Sequence, residues 1–404
     1  MNEPNPTPIR SQPLPEFIAM LALIFAVIAF SIDSMLPALP QIAAELSPGN
    51  VNRAQLVLTA FVAGMGIGLL VAGPLSDTLG RKPVITAGFA IYALAAIAAV
   101  FANSLEMLLV ARFVQGVGAA APRIVALALV RDLYQGREMA RITSFVMMIF
   151  ILIPAVAPSI GMIIIQAIGW RGVFGSFVLL ALVGALWLNL RQAETLPPAA
   201  RRPLNLSALG ASAREVLGNS QVQLITLVMT LGFGQMFALL SSAQQLYVDT
   251  YHTGDSFPLW FAAMALLSGG GTVLNARYVM RLGMRRIVSA AYAMQVVVSG
   301  SMLILLMGDL LPPGLRFPAF FLWSVSVFFM AGVTFGNLNA MALQRMGHVA
   351  GMAASVIAAV STIGAVLIAA PVGLLYNGTA LPIVLATLIC SGLALWLMRR
   401  VDEV

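Results

Sequence analysis

Gly73-Pro74-Leu75-Ser76-Asp77-Thr78-Leu79-Gly80-Arg81-Lys82 interrupts two long apolar stretches of the chain. Gly73 permits a close helix contact, and Gly80 supplies the backbone freedom that a tight connection between two helices needs. Asp77, at a helix end, is placed to accept backbone N–H groups or to pair with a guanidinium, while Arg81 and Lys82 suit the cytoplasmic edge of a membrane. An ordinary turn that only fixes orientation needs basic residues and nothing else. Proline, acid, glycine and two basic residues at this spacing go beyond that requirement.

Working outward, apolar segments of about 20 residues, each long enough to cross a hydrocarbon core, recur near 17–36, 54–75, 83–102, 105–130, 142–167, 172–190, 222–248, 257–277, 287–307, 317–339, 349–375 and 380–398. The composition agrees: 60% of the 404 residues are hydrophobic and only 9% charged, against about a quarter in a soluble globule. The expected fold is therefore an all-α membrane protein of twelve transmembrane helices, because only helices satisfy every backbone group inside one apolar segment. The expected divisions are a cytoplasmic tail (1–16), a six-helix bundle (17–190), a cytoplasmic linker (191–221), a second six-helix bundle (222–398) and a short tail (399–404). The first apolar run is longer than a signal-peptide core, which predicts an uncleaved first helix.

Orientation follows from the arginines. With a cytoplasmic N-terminus, seventeen of the 22 basic residues fall on the cytoplasmic side, and only Arg53, Arg171 and Arg316 on the other. Both termini are expected in the cytoplasm. The net charge of +7 is then an orientation signal plus attraction to anionic lipid, and nucleic acid is not an expected partner. Cys390 is the single cysteine, and the two histidines, His252 and His348, fall at span ends or in loops. No set of His, Cys or carboxylates has metal-ligand spacing, so neither a metal nor a cofactor is expected.

The two halves echo each other. Thr78-Leu79-Gly80-Arg81-Lys82 recurs as Arg281-Leu282-Gly283-Met284-Arg285, and Ala157-Pro158 with Gly161 recurs as Ala370-Pro371 with Gly373. A duplicated six-helix unit is the architecture that secondary transporters use.

Asp33 is the one carboxylate set well inside an apolar span, just before Pro37 and Pro40. Ionised, it is costly there unless paired or wetted, which makes it a candidate proton or cation site. Arg112 and Arg123 lie within the fourth span, and each needs water, a carbonyl or an acid. Gln115 stands one turn from Arg112, and Arg123 roughly 16 Å along the helix from it on the same face. Arg112 either faces Asp33 or a wet cavity, or snorkels to the outer interface. Arg123, together with Gln115, Gln235, Gln244 and Asn337, is a candidate lining of a substrate cavity, although such polar residues also act as interhelical glue. A subset of the 22 Met and 21 Phe suits a permissive apolar pocket.

The loop G-x-L-x-D-x-x-G-R-K between the second and third of twelve spans resembles the signature of the major facilitator superfamily. Asp33-Ser34-Met35-Leu36-Pro37-Ala38-Leu39-Pro40 resembles the D-x-x-L-P-A-L-P segment of its bicyclomycin/chloramphenicol-resistance type of drug:proton antiporter. Arg112-Phe113-Val114-Gln115-Gly116-Val117-Gly118 and Val130-Arg131-Asp132-Leu133-Tyr134 resemble that group's fourth span and the cytoplasmic end after it. Ala157-Pro158-Ser159-Ile160-Gly161 is similar to the antiporter motif G-P-x-x-G-G, with Ala157 and Met162 in place of two glycines, and Thr78 replaces the usual basic residue of the loop. The C-terminal half matches in topology alone.

The resemblance implies a monomeric, proton-coupled exporter of small apolar or amphipathic compounds in a bacterial cytoplasmic membrane. Asp33 would carry the proton beside Arg112. Gly73, Asp77, Gly80, Arg81, Lys82, Arg131 and Asp132 would form a cytoplasmic latch, and Pro158 with Gly161 a deformable point. A permease of the same fold for a defined metabolite is the alternative. A membrane-embedded enzyme or receptor would require paired acids, a haem-type histidine or a soluble sensing segment, and the sequence presents none.

Overall fold

The computed structural model describes residues 12–201, 206–346 and 349–402, so His348, Arg10 and Arg202 lie outside the described residues. Every regular element among the described residues is helical. Eleven helical stretches are long and apolar enough to cross a membrane, and a twelfth, Gly136–Ile168, contains the apolar run Leu152–Ile168. The chain is therefore a multi-pass membrane protein with the expected twelve spans, the linker helix Leu206–Gly218 standing between the sixth and the seventh.

One boundary differs in a way that matters. The first span does not stop at residue 36. It runs as Leu14–Asp33, breaks through a short 3-10 turn at Leu36–Ala38, and continues as Leu39–Leu46. Pro37 has no N–H for the carbonyl of Asp33, and Pro40 none for that of Leu36, so the α-helical ladder fails at that point and resumes beyond it. Asp33 thus sits at a break inside the span, with thirteen more residues of apolar path to Leu46.

The far end of that path is tied down by the connection Gly169-Trp170-Arg171. Gly169 has φ of 75°, a left-handed turn that favours glycine. The indole N–H of Trp170 donates to Glu45 at 2.8 Å, and Arg171 pairs with the same carboxylate while donating to the carbonyls of Val100 and Ala102. One loop therefore fastens the ends of the first and third spans to the sixth.

Glycines set how closely the spans of the first half pack. A Cβ on Gly64 would lie 1.9 Å from the carbonyl oxygen of Phe113, and one on Gly116 2.0 Å from that of Phe61. The second span (Leu56–Leu79) and the fourth (Leu105–Leu133) therefore meet backbone to backbone. Gly118, two residues on, turns toward the third span, where a Cβ would meet the amide nitrogen of Tyr92 at 2.6 Å. The segment Gln115-Gly116-Val117-Gly118 is thus a two-sided packing surface.

The two groups of six spans meet where the second span lies along the eleventh (Ala350–Leu374), from Gln55 against Gly373, through Gly66 against Ile363, to Gly73 against Ser355. The fifth span and the eighth (Phe257–Leu282) form a second broad contact between the groups.

Gly116→Leu is expected to force the second and fourth spans apart, at a cost of about 1–3 kcal/mol or more for overpacking. Heating the purified protein and following its monomer peak by size-exclusion chromatography should show a lower melting temperature. Gly175→Ala, where a Cβ meets nothing within 4 Å, should leave it unchanged.

Candidate functional site

The loop motif builds a charged cluster at the end of the bundle where the first span begins and the sixth ends. Gly80, with φ of 108°, turns the chain between the second and third spans. The Arg81 guanidinium, buried for nine-tenths of its surface, pairs with Asp77, donates to the hydroxyl of Ser76 at 2.7 Å and reaches Asp132 Oδ2 at 3.0 Å. Asp77, Gly80, Arg81, Lys82 and Asp132 lie together in this cluster. Arg131 stays exposed beside them, and Gly73 lies one turn back under Ser355 of the eleventh span.

Glu194 completes this cluster, and sequence reasoning missed it. Its two carboxylate oxygens accept the backbone N–H groups of Arg81 and Lys82 at 2.9 and 3.0 Å. These are free donors at the start of the third span (Arg81–Val100), where a negative charge is favourable. Thr195 donates to Asp132 at 2.8 Å, so the linker after the sixth span folds back and straps the motif. The only signal was an acid shortly after Arg191, and nothing in its spacing announces the return.

Near the break in the first span, a second constellation forms. Arg112 is completely buried and donates three ways: Nε to the carbonyl of Val57 at 3.1 Å, Nη1 to Gln115 Oε1 at 2.7 Å, and Nη2 to the carbonyl of Ser31 at 3.0 Å. The Phe61 ring lies beneath it, 4.4 Å from the guanidinium carbon. The hydroxyls of Ser31 and Tyr92 are hydrogen-bonded to each other alongside.

Two expectations are corrected here. Arg112 does not snorkel to an interface, and it does not pair with Asp33. It is satisfied by carbonyls, an amide and a ring face, which is how a buried guanidinium persists without a counter-ion.

Asp33 is 5% exposed, and no donor among the described residues reaches its carboxylate. Its chain neighbour Ser34 meets the fifth span, where a Cβ on Gly161 would lie 2.2 Å from the Ser34 carbonyl oxygen. Pro158 is buried one turn earlier. The glycine and proline of the fifth span thus bring that helix against the break that holds Asp33. The arrangement offers an unpaired carboxylate and, two residues away along the chain, a carbonyl gripped by a cation.

The candidate cavity residues scatter. Arg123 is partly buried, has no acid in bonding reach among the described residues, and meets the thioether of Met65 at 3.3 Å. Gln235 instead lies wholly inside the second group, where it accepts from Ser391 of the twelfth span at 2.8 Å and touches Met330 of the tenth. Asn337 bonds Asn275 at 2.7 Å and the carbonyl of Val333. Both act as glue between helices of the second group. Gln244 stands near the end of the bundle opposite the loop motif.

At that opposite end, hydrogen bonds join the two groups of six. Asn52 donates to the carbonyl of Tyr376 at 2.7 Å, Gln55 donates to Gln245 and accepts from Ser242 at 2.9 Å, and Gln245 donates to Asn52 at 3.2 Å. Sequence reasoning placed none of Asn52, Gln55 or Tyr376 in a site.

Comparison with known proteins places this architecture. Residues 21–369 match the Major Facilitator Superfamily. The chain is 31% identical over 356 residues to the bicyclomycin resistance protein homolog of Haemophilus influenzae, covering 87% of each chain. It is 29% identical over 257 residues to the multidrug resistance protein MdtL of Salmonella heidelberg, covering 63% of each. In structure it resembles the xylose transporter XylE from E. coli in a partially occluded inward-open conformation, with a TM-score of 0.75 at 13% identity over 96% of this chain and 98% of that one. That likeness speaks for the fold. Sequence match, length and architecture agree, and the chain belongs to the Major Facilitator Superfamily of transporters.

Proposed function

We propose that the protein is a proton-coupled exporter of small apolar or amphipathic compounds, working by alternating access in a bacterial cytoplasmic membrane. The single observation that carries the coupling is Asp33, a carboxylate buried at a helix break with no bonded partner among the described residues. Intramembrane acids of this kind mark proton and ion pathways. The export reading draws support from relatives named for resistance to bicyclomycin and to multiple drugs. The end that bears the loop motif and the start of the first span is the cytoplasmic one, in keeping with seventeen basic residues against three.

Residues 17–190 and 222–398 are the two bundles that move against each other, with 191–221 as the linker. Substrate binds between them near Arg123. Asp33 takes a proton from outside and releases it inward as the bundles exchange access. The cluster of Asp77, Arg81, Asp132 and Glu194 steadies one access state. The protein works as a monomer with lipid around it.

Asp33→Asn is expected to insert and fold normally while losing at least tenfold in drug-induced proton release, measured in everted vesicles. Wild-type release from that variant would remove the central claim. Asp77→Ala and Glu194→Ala should each shift the balance of access states and lower turnover, with equilibrium drug binding largely spared. Thiol labelling at the two ends, after replacement of Cys390, reads the shift. Lost binding with unchanged labelling would assign the cluster to folding instead.

The fixed charge of Arg123 should disfavour cationic drugs, because a like charge in a low-dielectric cavity is costly. Resistance is therefore expected toward neutral compounds of the phenicol or bicyclomycin type and little toward ethidium. Growth assays in an efflux-deficient host should show Arg123→Gln relaxing that bias. Strong wild-type export of ethidium, unchanged in the variant, would place Arg123 off the substrate path.

A further inference from the structure

A cavity of about 170 Å³ opens between the two groups of spans at the end opposite the loop motif. Leu39, Ala43 and Ala54 of the first group form an apolar wall, and Gln244 and Asp249 of the second group face it. The amides of Gln55 and Gln245 border the same space, but they are engaged with each other and with Ser242 and Asn52.

Gln244 differs from these neighbours. It is 95% buried, and its Oε1 has no hydrogen-bond partner among the described residues. A buried amide oxygen without a partner is costly, and such groups need an explanation in a ligand or a water. Asp249 stands exposed at the rim, with His252 nearby and no hydrogen bond to its carboxylate from a described residue. The polar side of the cavity therefore offers acceptors and negative charge. The other side offers aliphatic carbon.

Size narrows the occupant. A cavity of about 150 Å³ holds a benzene ring, whereas drug-sized ligands fill roughly 300–1,000 Å³. We propose that this cavity is a second ligand site, separate from the path past Arg123, that takes compact one-ring amines. The ring lies on Leu39, Ala43 and Ala54, and the ammonium sits between the Gln244 amide and the Asp249 carboxylate. Because its walls come from both groups, an occupant favours the state in which this end is closed, as any ligand favours the state that binds it better.

The test is binding of benzylamine to the purified full-length protein in phosphatidylcholine nanodiscs at pH 7, followed by saturation-transfer NMR with benzyl alcohol as the uncharged counterpart. Saturable benzylamine binding is expected, at least tenfold weaker for benzyl alcohol. Asp249→Asn should weaken benzylamine binding at least tenfold, and Gln244→Leu similarly. Arg123→Gln should not weaken it, which separates this site from the proposed transport path. Asp249 is exposed, so its variant tests the site even if Gln244→Leu fails to fold. Absence of saturable binding, equal binding of amine and alcohol, or binding indifferent to Asp249→Asn would each overturn the proposal. Since the measurement needs no transport, its outcome is independent of whether the protein exports drugs.

Discussion

A guanidinium with no exposed surface, inside a bundle of apolar helices, must find every one of its hydrogen bonds within the protein. Arg112 does so by gripping the carbonyl of Ser31 in the first span and that of Val57 at the start of the second, while Gln115 one turn along its own helix takes a third bond. These bonds require three helices to approach within side-chain reach, and the approach is possible because Gly64 and Gly116 let the second and fourth spans touch through their backbones. The charge thus dictates the packing, and the packing fixes the last intact turn of the first span just before it breaks at Asp33. Removing one partner of such a buried charge is far more costly than the pair is stabilising, so the arrangement holds as a unit.

The two ends of the bundle are fastened by different means. At the end with the loop motif, ion pairs and the Glu194 carboxylate bind the second, third and fourth spans to the linker, all within or beside the first group. At the opposite end, neutral amides and hydroxyls link one group to the other. Neutral hydrogen bonds contribute modestly, about 0.5–1.5 kcal/mol each, so a closure made of them can open when bundles shift.

The spans and the family were legible in the sequence because twenty-residue apolar runs have no other stable outcome in lipid, and because the motif loop, the segment at Arg112 and the segment at Asp33 occur in order. The sequence pattern ends the first span at residue 36 rather than at Leu46, since Pro37 and Pro40 interrupt the ladder in the same way whether the chain stops or merely kinks. The polar residues of the second group were placed in a cavity when Gln235 and Asn337 bond within their own bundle. In helices apolar on every face, periodicity does not say which side a lone amide occupies. Glu194 was invisible for a different reason: its partners are backbone N–H groups more than a hundred residues earlier, which carry no sequence signature.

The loop motif connects to the contact between the groups through a short physical chain. Arg81 donates to the hydroxyl of Ser76, which donates in turn to the carbonyl of Gly73, and Gly73 packs against Ser355 of the eleventh span with room for a Cβ only at 3.1 Å from its hydroxyl. Pro74 follows in the same turn, and its lack of an N–H leaves a carbonyl of the preceding turn without its usual partner. A sliding of the second span against the eleventh therefore changes the geometry of the very turn from which the charged cluster is built. The reverse also holds: loosening Arg81 frees the Ser76 hydroxyl that steadies Gly73 at the contact. The residues of the motif need not touch the second group to affect it, because the backbone of one helical turn carries both the ion pairs and the packing surface.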